Sequence, residues 1–166
     1  MRKALHTCSC IEWVWGVFMI GKMLEPTASA YIIGGPEAPN LRGNALFYQK
    51  ENYVLVEVHV SGLPQSSKSG FFGLHIHEGS SCGGVGFSET GSHYNPSGMQ
   101  HPLHAGDLPP LLRCKDGAYL AVRTDRFRVE NVIGKTVVIH GGPDDFTSQP
   151  AGNAGEKIAC GVIERR

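Results

Sequence analysis

The chain has 166 residues, enough for one domain with a substantial core. An apolar fraction of 41% and a charged fraction of 18% exclude a disordered chain. Lys plus Arg and Asp plus Glu number 15 each, so no basic excess exists to neutralise phosphates, which argues against nucleic acid as a partner.

Residues 1–26 read as an N-terminal tail or degenerate leader, with the domain expected over residues 27–166. Arg2 and Lys3, the apolar run Trp13 to Gly21 and Ala28-Ser29-Ala30 mimic a secretory signal. Glu12, Lys22 and Glu25 interrupt the pattern, and cleavage after Ala30 would trim the first strand. The incomplete leader favours a cytoplasmic location over export. No uncharged apolar run reaches roughly 18 residues, so no stable membrane insertion is expected. Cys8 and Cys10 are too close for a zinc knuckle and read as two free thiols.

From Ala28 the pattern is β. Short strands are expected at Ala28–Ile33 and Asn44–Gln49. Tyr53–Val60 alternates, with Val54, Val56, Val58 and Val60 on one face and Glu57 and His59 on the solvent face. Phe71–His77 follows, and residues 79–117 then show little periodicity, as in a long functional loop. Further strands are expected at Tyr119–Val122, Phe127–Val129, Thr136–His140 and Lys157–Ile163, with a second polar loop from Gly141 to Glu156. With 22 Gly, 10 Pro and no amphipathic helix of useful length, the fold class is an all-β sandwich or barrel.

Five of the eight histidines lie between His75 and Asp107: His75, His77, His93, His101 and His104. On a strand, residues two apart share a face, so His75 and His77 can address one ion; on a helix they would diverge. With His93 and His140 they offer four imidazoles, which suits tetragonal copper. His101, His104 and Asp107 supply two nitrogens and an oxygen and need one more donor for tetrahedral zinc. Spacing alone does not say that His93 serves both ions.

The segments GLHIHEGSSC, GSHYNP, HAGDLPPL, VVIHGGPDD and GNAGEKIACGVI resemble, in order, motifs of the copper–zinc superoxide dismutase family. The resemblance spans roughly residues 28–164 and implies an antiparallel Greek-key sandwich of immunoglobulin-like architecture. It implies copper at His75, His77, His93 and His140, and zinc at His93, His101, His104 and Asp107, with His93 bridging. Asp144 would join His75 to His101 as an outer acceptor. Cys82 and Cys160 would form the family's disulfide, with Cys82 where bacterial members carry it. Cys114 is left as a free, half-buried thiol.

The implied reaction is 2 O2•− + 2 H+ → O2 + H2O2, run by a cycling copper with a structural zinc. His93 would carry a proton and superoxide would be the small-molecule substrate. Lys157 stands where the family usually has an anion-guiding arginine; it keeps the charge and loses the planar fork of donors. The alternative is a copper-binding or copper-delivery protein of the same fold with little activity. A copper-only enzyme and a zinc-stabilised adhesion module are opposed by the complete ligand set. Family members differ in whether they dimerise, so a homodimer stays open.

Overall fold

The computed structural model describes residues 25–166; the expected leader, with His6, Cys8 and Cys10, lies essentially outside them. Eight strands follow the chain: β1 Ala28–Gly34, β2 Arg42–Gln49, β3 Val54–Ser61, β4 Phe71–His77, β5 Asp107–Leu112, β6 Ala118–Thr124, β7 Thr136–His140 and β8 Lys157–Arg165. All pairings are antiparallel, in the order β5-β4-β7-β8-β1-β2-β3-β6. The result is a nearly closed Greek-key barrel. Its two edge strands, β5 and β6, flank a seam with no ladder between them among the described residues.

Alternation puts one face of each strand inside. Val54, Val56, Val58 and Val60 of β3 are buried, and they meet Ala30 and Ile32 of β1 and Ala45 and Phe47 of β2 in the same core. His59, between them, is exposed. Two strands depart from the half-buried pattern. β7 is buried at every residue and β4 at all but its first. Leu74, Ile76, Val137 and Ile139 belong to the barrel core. His75, His77, Val138 and His140 alternate with them and face outward, so what buries them is the loops laid over this wall.

Three expectations are corrected. The stretch 79–117 is not wholly irregular, because its end forms β5. Pro109 and Pro110 remove ladder donors, which is tolerated on an edge strand and hides the strand from a periodicity reading. Phe127–Val129 is no strand. Val129–Val132 makes a single helical turn, α1, started by Asn131 Oδ1 accepting from the Arg128 amide at 3.0 Å. Phe127 and Val129 are buried as a strand would bury them, but Val132 is buried at the next helical position. Cys114 is exposed rather than half-buried, because it sits in the tight turn that pairs it with Gly117 after β5.

Cys82 and Cys160 form a disulfide across 78 residues, tying the long loop to β8.

Candidate metal centre

Each donor stands on the outer wall or on a loop folded against it. β4 contributes His75 and His77 from one face, and β7 ends at His140. The long loop returns so that His93 bridges backbone to backbone with His77. Asp107 opens β5 directly opposite His75. Donor atoms of His75, His77, His93 and His140 all lie within 4.8 Å of one another, and so do those of His93, His101, His104 and Asp107. His93 belongs to both sets. Its ring lies 4.0 Å from that of His75 and 5.5 Å from that of His104, centroid to centroid.

All seven residues are buried; the most exposed, Asp107, shows 8%. A buried imidazole must place both nitrogens. The outward ones are occupied. His77 Nδ1 donates to the Gly91 carbonyl at 2.9 Å and His140 Nδ1 to that of Gly155 at 3.0 Å. His75 Nε2 donates to Asp144 Oδ2 at 2.7 Å and His101 Nε2 to Asp144 Oδ1 at 2.9 Å. Each donation fixes the tautomer and leaves a lone pair on the inward nitrogen.

Those inward lone pairs meet no hydrogen-bond donor among the described residues; His101 Nδ1 faces only another acceptor, Asp107 Oδ2, at 3.1 Å. His75 Nδ1, His93 Nε2 and His101 Nδ1 are buried without a partner. His77 Nε2 and His140 Nε2 face each other at 3.3 Å although both outward nitrogens already carry the protons. Converging acceptors without donors call for cations. Four nitrogens suit copper, and three nitrogens with a carboxylate suit zinc. The residues present therefore fit both ions.

The electrostatics agree. Burial lowers the affinity of His75 for protons and pushes His77 down to about 2 and His140 to about 3. All three are neutral near pH 7 and their lone pairs are free. Burial raises the two carboxyls, but other contacts outweigh it. The His93 hydrogen bond and the charges of His93, His101 and His104 hold Asp107 low. Hydrogen bonds from His75, the Phe146 amide and His101 bring Asp144 to about 2.

Lys157 opens β8 opposite His140. Its Nζ donates to Thr90 Oγ1 at 2.7 Å and to the Gly91 carbonyl at 2.9 Å, the same carbonyl that orients His77. Thr90 is buried and passes its own hydroxyl proton to the Phe87 carbonyl at 2.9 Å. One ammonium N–H is left over.

Some parts were not read from the sequence: Thr90, the carbonyls of Gly91 and Gly155, and Gly152. Gly152 has φ +66°, and a Cβ there would strike Asp144 Oδ1 and His101 Nε2, so only glycine leaves room for that hydrogen bond. The Gly and Asn content of GNAG was a signal for a tight turn but not for its neighbour.

Two buried donor sets sharing one histidine, on the outside of a Greek-key barrel, define a binuclear metalloprotein of the copper–zinc type. The copper/zinc superoxide dismutase (SODC) family profile matches residues 41–163. The chain is 36% identical to Superoxide dismutase [Cu-Zn] 2 of Aquifex aeolicus over 136 residues, 73% of this chain and 78% of that one. It is 32% identical to Superoxide dismutase [Cu-Zn] of Deinococcus radiodurans over 162 residues, 84% and 85% of the two chains. It is also 31% identical to the Copper chaperone for superoxide dismutase of Homo sapiens, covering 87% of this chain and 56% of that one. The chain belongs to the copper/zinc superoxide dismutase family.

Proposed function

We infer that residues 27–166 form a domain that dismutates superoxide, with copper held by His75, His77, His93 and His140 and zinc by His93, His101, His104 and Asp107. The observation that carries this reading is His93. Its Nδ1 lies 2.7 Å from Asp107 Oδ1 in one donor set, while its Nε2 is buried and unpartnered in the other.

When bound, copper supplies the one-electron couple that oxidises one superoxide to O2 and reduces the next to peroxide, and zinc supplies fixed positive charge. The remaining work belongs to the chain. His75, His77 and His140 are locked by Asp144 and two carbonyls, so they cannot rotate to offer a different nitrogen. His93 has no such outer lock on Nε2, which makes that atom the place where a proton can be held and released during turnover. Lys157 draws the substrate anion with its free N–H, held in place by Thr90 and Gly91. A lysine offers one point of charge where an arginine offers a fork, so turnover is expected below that of the arginine form.

The second reading, a copper-delivery protein, is favoured by Lys157 and by the likeness to the human copper chaperone. Metal content and superoxide consumption, measured together, decide. Full copper and zinc loading with turnover supports the enzyme; full loading without turnover supports delivery. Within the enzyme reading, Lys157→Met lowers the rate and Lys157→Arg raises it. If neither substitution changed the rate, the anion-guiding role would be wrong. A homodimer is the assembly we favour, because Ile33 and Val85 are exposed at 47% and 97% on segments that meet where Gly35 touches Phe87. Sedimentation velocity of the full chain tests it.

A further inference from the structure

The seam between β5 and β6 is where the barrel lacks a ladder, and the histidine–aspartate donor set hangs on its β5 side. Asp107 is the first residue of β5, and His101 and His104 lie just before it. A loop entering an edge strand has few backbone partners for its carbonyls; here the His104 carbonyl takes only the Asp107 N–H, at a long 3.2 Å. One side chain from across the seam takes that part. Arg126 follows β6, and its backbone N–H is held by Thr124 Oγ1 at 3.2 Å. Its Nη1 donates to the carbonyls of Pro102 at 2.9 Å, His104 at 3.3 Å and Asp107 at 3.2 Å. Two of these three residues are proposed zinc ligands. The other end of the loop is held separately: Gln149 exchanges hydrogen bonds with the His101 backbone at 3.1 and 2.7 Å.

We propose that Arg126 is a positioning residue for the zinc site, setting its affinity and geometry by pinning the backbone carbonyls of Pro102, His104 and Asp107 across the barrel seam. The inference rests on the zinc assignment made above. Arg126 makes no ion pair among the described residues, so its guanidinium is not committed elsewhere. Charged donors to carbonyls are stronger than neutral ones, and here the two N–H bonds of one nitrogen, Nη1, are shared among the three carbonyls. A competing effect has the opposite sign. A cation near a zinc site repels zinc, so if charge dominated over positioning, removing Arg126 would tighten binding.

The test is zinc affinity of the metal-free full chain by chelator competition, with the visible bands of cobalt placed in the same site as a geometry readout. Arg126→Met is expected to weaken zinc binding roughly 10- to 100-fold, the range for lost outer contacts to metal ligands, and to shift the cobalt bands. Arg126→Lys, which keeps the charge, should recover part of the loss but still bind more weakly than the native chain. Zinc affinity in Arg126→Met within threefold of native, or tighter, with unshifted cobalt bands, would overturn the proposal. If Arg126→Met does not fold, Arg126→Lys decides alone: native affinity and bands overturn the clamp, and weaker binding with shifted bands supports it. His104→Ala separates the two levels. If it abolishes tight zinc binding while the Arg126 variants do nothing, only the clamp is wrong. If it too has no effect, the zinc assignment fails with it.

Discussion

At the residue scale, the convergence of His75 and His77 was legible because His-x-His on a strand has one geometric outcome, and both share the outer face of β4. What orients them was less legible. His77 and His140 are aimed by the carbonyls of Gly91 and Gly155, and a backbone carbonyl leaves no trace in residue identity. Thr90 escaped for the same reason, since its hydroxyl links a carbonyl to Lys157. Gly152 gives the sharpest test at this scale. Gly152→Ala adds a methyl where Asp144 and His101 meet and strains a left-handed backbone position. Asp144 must move off at least one ring. Metal affinity by chelator competition is expected to fall by about 10-fold or more, with the β content in circular dichroism retained. Native affinity would show that the Asp144 contact does not govern the ligands.

At the scale of elements, strands with a clean period were readable and the exceptions have identifiable causes. β3 shows its alternation because one face is core and the other solvent. β4 and β7 are buried on both sides, yet their β-branched and aromatic content still marks them. β5 is obscured by Pro109-Pro110, and α1 imitates a strand through Phe127 and Val129. The long loop is the element that most needs restraint, because it buries polar groups against the wall. The Cys82–Cys160 disulfide closes 78 residues around it. In the chain-entropy picture that closure stabilises by about 4 kcal/mol. Cys82→Ser should therefore lower the unfolding free energy of the metal-free protein by about that amount in urea titration. A change below about 1 kcal/mol would mean that the loop is held by its other contacts instead.

At the scale of the whole molecule, the barrel wall and its loops bring buried acceptors together, and in the metal-free protein this has a pH signature. In the metal-free protein His77 and His140 have pKa values of about 2 and 3, against 6.5 unfolded. Between pH 6.5 and about 3 the unfolded chain therefore holds protons that the folded one does not. Their contribution is complete above 6.5 and is lost as the pH falls. Between pH 6.5 and 5.5 the two together remove about 2 kcal/mol. Asp144, low in the folded state, adds a further loss as the pH falls from 3.8 toward about 2. The urea midpoint of chelator-treated protein should drop steadily from pH 7 to 5. A flat or rising midpoint would show that these imidazoles are already protonated in the fold.

The central claim is that one side chain, His93, serves both ions. The most direct measurement is the electron paramagnetic resonance spectrum of copper in the four-histidine set, recorded before and after one equivalent of zinc. His93 belongs to both donor sets, so under this claim zinc binding alters a copper ligand, and the spectrum is predicted to shift with a one-to-one end point. A copper spectrum unchanged by stoichiometric zinc, with zinc shown to be bound, would contradict the shared histidine.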